Sequence, residues 1–204
     1  MIHNAYTLQK AFGYMFEEEV AALKRMVLTV PRGAIVINIG AGAGTSGLAF
    51  KETRPDIQLC TVDITDTSSP FGCLEAERQI LKDAGLWDER VAHFHADSKR
   101  LAETWTRDFT NEFVGLVFID GDHTYEGCKG DIQGWLPLLA FDGIVAVHDY
   151  DKSTVYANKD WNEKAKVPHP KDYPGVDQAV NELLVGKYPV VEHVRSLIAF
   201  KVNK

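Results

Sequence analysis

Ile35-Val36-Ile37-Asn38-Ile39-Gly40-Ala41-Gly42-Ala43-Gly44-Thr45-Ser46-Gly47 is the stretch on which the reading of the chain turns. Its first five residues are all β-branched and apolar except Asn38, as in a short strand buried on both faces. From Gly40 to Gly47 there are then four glycines in eight residues. A plain strand-to-helix turn seldom needs so many missing side chains. A ligand brought against the backbone does, with the N–H groups of the next helix facing it. Asp63 follows roughly twenty residues on, where a carboxylate can accept hydrogen bonds from both hydroxyls of a ribose. Together these features predict a cofactor loop with Asp63 on the ribose.

Upstream, Phe16, Val20, Leu23 and Val27 recur at helical spacing, with Glu17, Glu18 and Glu19 in the first turn, where the helix dipole favours acids. This predicts a helix over 16–28 within an N-terminal helical segment, 1–30. Downstream, apolar runs at 57–62, 91–95, 114–119 and 144–147 alternate with segments able to hold helices, which implies a parallel sheet covered on both faces. The clearest of these helices follows Thr124, with Tyr125, Cys128, Ile132, Trp135 and Leu139 on one face. Residues 151–174 lack periodicity, and a loop of that length reads either as a lid or as an ordinary surface loop. A helix from about 176 to 184 and apolar runs at 190–194 and 197–202 complete the chain. The short Arg195-Ser196 link between the two runs forces an antiparallel hairpin. The expected organisation is one α/β domain, 1–204.

The chain has 204 residues, 45% of them hydrophobic, enough for one sizeable core. Its 22 basic against 29 acidic residues give a net charge of -7, which argues against a general nucleic-acid surface. Three cysteines without CxxC spacing fit reduced thiols and a cytoplasmic location. Neither an export signal nor an apolar run of membrane-spanning length is visible. The expected partner is a small-molecule acceptor, not nucleic acid or membrane, with self-association into a homo-oligomer left open.

The loop also satisfies GxGxxG, so a dinucleotide cofactor competes, but a dinucleotide fold continues with parallel strands where this chain ends in a hairpin. Taken with Thr61-Val62-Asp63, His95-Ala96-Asp97-Ser98, Phe118-Ile119-Asp120-Gly121-Asp122-His123-Thr124-Tyr125 and Gly143-Ile144-Val145-Ala146-Val147-His148-Asp149-Tyr150, the loop resembles that of class I S-adenosylmethionine-dependent methyltransferases. The likeness runs from about residue 15 to the C-terminus. Within that superfamily the Asp-Gly-Asp-His-Thr-Tyr segment is similar to small bacterial O-methyltransferases of the macrocin and cephalosporin-pathway type. The resemblance implies a Rossmann-like seven-stranded sheet with an antiparallel last strand, and methyl transfer from S-adenosylmethionine to a hydroxyl. It implies Gly40, Gly42 and Gly44 beneath the cofactor, Asp63 on its ribose, and Asp97 and Ser98 near adenine, with Asp120 also lining the site. Asn38 stands where many members carry a carboxylate near the methionine amino group.

Ligands of open α/β sheets bind outside the carboxyl ends of the strands, where this chain carries Asp120 to His123 and His148-Asp149. Methyl transfer needs an acceptor hydroxyl that loses its proton, to an imidazole or under the pull of a divalent cation. Carried over residue by residue, the family's metal positions fall on Asp120 and Asp149. The position of a basic lysine in catechol O-methyltransferase, which the chain resembles more distantly, falls on His123, with Asp122 beside it as the alternative base. His148 replaces an acid found in macrocin-type relatives and is a candidate nitrogen ligand, which would widen the choice beyond Mg2+ to manganese, iron or zinc. The rival readings are a nicotinamide-dependent oxidoreductase and a non-catalytic S-adenosylmethionine-binding protein. The second would have no need for Asp120, His123 and Asp149.

Overall fold

A computed structural model describes residues 4–12, 14–67, 73–108, 113–151 and 173–203. The glycine-rich stretch follows β1 (Ile35–Ile39), the middle of a seven-stranded sheet of order β3-β2-β1-β4-β5-β7-β6. The other strands are β2 (Gln58–Asp63), β3 (Val91–His95), β4 (Val114–Ile119), β5 (Leu139–Val147), β6 (Val190–Val194) and β7 (Leu197–Val202). β1 to β5 pair in parallel, while β7 lies antiparallel between β5 and β6, which makes the expected hairpin. β5 begins five residues before the predicted 144. The Phe141-Asp142-Gly143 run, with Asp142 at φ +63°, reads as a turn but is an irregularity inside the strand.

Period-two alternation sorts the strand side chains into two cores. Val36, Leu59, Leu116 and Phe118 face α1 (Ala5–Phe12), α2 (Glu17–Thr29), α3 (Thr45–Thr53) and α4 (Leu74–Asp83). Ile37, Val62, Val117 and Val145 face α5 (Ser98–Asp108), α6 (Tyr125–Trp135) and α7 (Tyr173–Leu183). Trp105 and Trp135 meet edge to face across the α5–α6 seam, with ring centroids 5.2 Å apart. α1 lies within the expected N-terminal helical segment, 1–30, as a separate helix ahead of the one marked by the 16–28 periodicity. α7 starts at Tyr173, so the end of the expected lid, 151–174, is helical; 152–172 lie outside the described residues. Among the described residues no helix is long and apolar enough to cross a membrane, and Cys60, Cys73 and Cys128 are buried thiols outside any disulfide.

Lateral hydrogen bonding continues one residue past the strand ends. Gly40 N donates to Val62 O at 2.9 Å, Ala96 N to Asp63 O at 3.1 Å, Asp120 N to Ile39 O at 2.9 Å and His148 N to Ile119 O at 3.0 Å. The glycine loop, Asp63, Asp120 and His148 are therefore fixed along one ledge at the carboxyl edge of the sheet.

Candidate active site

Gly40, at φ +91°, is demanded by packing: a Cβ there would lie 2.2 Å from the Asp120 carbonyl oxygen. Gly42, at φ +49°, differs, since a Cβ there would meet no described atom within 4 Å. The space beside it is open, in front of the α3 N-terminus that Gly44 caps in the left-handed conformation. Asp63 braces the loop from the neighbouring strand. Its Oδ2 accepts the Ala41 N–H at 2.8 Å and its Oδ1 the Thr65 N–H at 2.7 Å, which leaves further lone pairs on a half-buried carboxylate. An open glycine cradle, a helix N-terminus and a braced strand-end acid fit the amino-acid tail and ribose of S-adenosylmethionine. Ile64, beside Asp63 and 75% exposed, offers an apolar wall that no motif or spacing singles out.

Other expected cofactor residues have prior engagements. Asn38 is fully buried on the α3–α4 face: its Oδ1 accepts from Ser46 Oγ at 3.0 Å, and its Nδ2 donates to Glu77 Oε1 at 3.2 Å and Thr61 Oγ1 at 3.3 Å. It supports the loop from beneath. Asp97 Oδ1 accepts the Lys99 N–H at 2.9 Å at the start of α5, and Ser98 Oγ donates to the buried Asp131 of α6, so the Ser98 hydroxyl is turned towards the α5–α6 seam.

At the reacting end, His123 Nε2 lies 2.7 Å from Asp149 Oδ2 and 3.4 Å from Asp120 Oδ1. Behind them, His148 Nδ1 lies 3.0 Å from Asp149 Oδ1 and 3.2 Å from Asp120 Oδ1, and its Nε2 lies 3.1 Å from Glu19 Oε2. Asp149 is buried at φ +67°, a conformation disfavoured for a residue with a Cβ and typical of functional sites. Burial opposes charge on both rings, but hydrogen bonds and attraction from Asp120 and Asp149 push His123 up to about 10. The charges of Asp120, Glu19 and Asp149 likewise hold His148 well above its ordinary value. Asp120 and Glu19 are displaced downwards, against burial, chiefly by the charge of His148.

This geometry revises three expected roles. Both His148 nitrogens face carboxylate oxygens, Nδ1 those of Asp120 and Asp149 and Nε2 that of Glu19, so neither is turned to an open metal position. His123 takes its place: one atom each from Asp120, His123 and Asp149 lie within 4.8 Å of one another, a mixed oxygen and nitrogen set that fits a divalent cation. Because His123 Nε2 is aimed at both carboxylates, its pose is that of a ligand or counter-ion and not of a free base. Asp122 folds back over α6, where its Oδ1 accepts the Thr124 N–H at 3.0 Å. Glu19 is the residue that sequence reasoning missed. The signal was there, since Glu19, Leu23 and Met26 share a helix face on which an acid has no obvious business.

A family model described as a methyltransferase domain matches residues 37–150. An uncharacterized protein, y4gI, of Sinorhizobium fredii is 30% identical over an alignment of 77 residues that covers 32% of this chain; the chain spans only 8% of that curated relative's length. Among solved structures, the O-methyltransferase TomG of Streptomyces achromogenes, in complex with S-adenosylmethionine, superposes with a TM-score of 0.67 at 18% identity, covering 98% of this chain and 88% of its own. The calicheamicin methyltransferase CalS11 does so with a TM-score of 0.64 at 16% identity, covering 92% and 78%.

Proposed function

The chain belongs to the methyltransferase-domain family, and from that premise we propose that it carries methyl groups from S-adenosylmethionine to a hydroxyl oxygen of a small molecule, as a single catalytic unit in the cytoplasm. The observation that carries this reading is the convergence of Asp120, His123 and Asp149 on the same ledge as the glycine cradle. TomG and CalS11, both methyltransferases of small-molecule biosynthesis by their descriptions, support the choice of acceptor class.

In this reading the open space at Gly42 takes the methionine part of the cofactor, Asp63 holds the ribose and Ile64 covers the adenine. Positioning supplies much of the acceleration, because transfer from a sulfonium is an in-line displacement. Asp120, His123 and Asp149 would hold a divalent cation, which when bound lowers the pKa of an acceptor hydroxyl. A second reading rests on the 2.7 Å contact between His123 and Asp149: here His123, once it has released its proton, is itself the base.

The test is incubation with methyl-labelled S-adenosylmethionine and a panel of sugar, phenol and polyketide hydroxyls, with and without a chelator. A labelled O-methyl product is expected, together with stabilisation of the protein by S-adenosylhomocysteine and not by NAD. Loss of turnover on chelation with recovery by Mg2+ or Mn2+ supports the cation; full turnover in chelator leaves His123 as base. Stabilisation by NAD alone, or methylation only at nitrogen, overturns the proposal.

A further inference from the structure

Glu17, Glu18 and Glu19 open α2 side by side, yet only Glu19 is buried, with no exposed surface at all. A helix-dipole role needs no burial, and burying a carboxylate costs several kcal/mol unless its oxygens are fully met. Here they are. Oε1 accepts from the Ser196 N–H and the Ser196 hydroxyl, both at 2.8 Å. Oε2 accepts the Phe16 N–H at 2.7 Å and faces His148 Nε2 at 3.1 Å. The four approaches come from the N-terminus of α2, the end of β5 and the β6–β7 turn. Arg195, in the left-handed region at φ +54°, ties the same turn to Glu18 at 2.7 Å. The far nitrogen of His148 then meets Asp120 and Asp149.

We infer that Glu19, seconded by Ser196, is a positioning residue for the transfer reaction: it clamps His148 from behind so that the ring fixes Asp120 and Asp149 towards the cleft. The inference rests on the proposal that those two carboxylates form the reacting end. Glu19 and Ser196 both lie outside residues 37–150, so this part of the machinery is built by segments that the family model does not cover. The His148 ring stands between one carboxylate behind and two in front, Nε2 3.1 Å from Glu19 and Nδ1 3.0 Å from Asp149 and 3.2 Å from Asp120, so its placement sets where the front pair can lie.

The test uses the full chain and three variants: Glu19→Gln, Glu19→Asp and Ser196→Ala. A Gln amide at 19 keeps one acceptor oxygen and turns a donor on groups that are themselves donors, so the clamp on His148 is lost. Expected for Glu19→Gln is a fall in kcat of about tenfold or more with the S-adenosylhomocysteine Kd within twofold of wild type. Ser196→Ala, which retains the backbone N–H, loses less. In wild type, proton NMR should show an exchange-protected Nε2–H signal from His148, held by Glu19, and Glu19→Gln should lose it. This readout is taken whether or not an acceptor has been found. Wild-type kcat, or a persisting Nε2–H signal, in a folded Glu19→Gln protein overturns the inference, as does a loss of kcat that merely follows the fraction unfolded. If Glu19→Gln does not fold, Ser196→Ala and Glu19→Asp carry the comparison. A wild-type protein that methylates no hydroxyl defeats the proposed function instead, and is told apart by its intact Nε2–H signal.

Discussion

Gly40 and Gly42 have the same residue type, the same loop and the same left-handed backbone, but the demands on them differ. Gly40→Ala sets a methyl against the Asp120 carbonyl, so it adds a clash with backbone to the conformational strain. It should cost roughly 2–4 kcal/mol of stability in denaturant melts and abolish cofactor binding with it. Gly42→Ala meets open space and should cost only about 1–2 kcal/mol for the left-handed conformation. It should nevertheless weaken S-adenosylhomocysteine binding at least tenfold by calorimetry, because the methyl enters the cradle. Equal binding by wild type and a folded Gly42→Ala protein would remove the cofactor from that space. At this scale the sequence was informative about Asp63, Asp120 and Asp149, since a strand-end acid is recognisable from its own neighbours. It was uninformative about Glu19, whose partners His148 and Ser196 are 129 and 177 positions away.

α6 shows how an element can look wrong in sequence and be right in space. Its three glycines lower helix propensity, each by about 1 kcal/mol relative to alanine. At Gly127 a Cβ would lie 2.1 Å from the Asp122 carboxyl carbon, so the missing side chain makes room for the acid that turns back over the helix. Gly127→Ala should therefore lose stability despite the better propensity, and Asp122→Ala should restore it in the double variant. A positive coupling of about 1 kcal/mol or more in that cycle is expected. Additive effects would show that Asp122 is not held against α6 and would return it to the list of candidate bases. The strands were legible to within a residue or two at most ends because continuous apolar runs bounded by turn residues are unambiguous. β5 was half seen, since its Phe-Asp-Gly irregularity carries turn chemistry inside a strand, and α1 was not set apart within the N-terminal helical segment.

Over the whole molecule, the ionisable groups set how stability should change with pH, measured with a chelator present. Glu19 and Asp120 have lowered values in the folded chain, so their contribution is present above their unfolded values near pH 4 and lost as pH falls through the folded ones. His123 and His148 are raised. Their contribution is complete below the unfolded value of about 6.5 and drains away as pH rises, towards about 10 for His123. Asp131, which burial pushes up to about 6, works in the same direction at lower pH: its contribution is full below its unfolded 3.8 and gone above 6. The melting temperature should therefore peak at about pH 5–6 and fall steadily towards pH 9. A net charge of -7 gives some alkaline loss through self-repulsion alone, so the slope by itself does not identify its source. His123→Asn separates the two. It leaves the formal charge of the unfolded chain above pH 7 unchanged but removes the proton that the folded site retains, so the decline between pH 6.5 and 9 should become shallower. A decline equally steep in His123→Asn would place its origin outside the Asp120, His123 and Asp149 cluster.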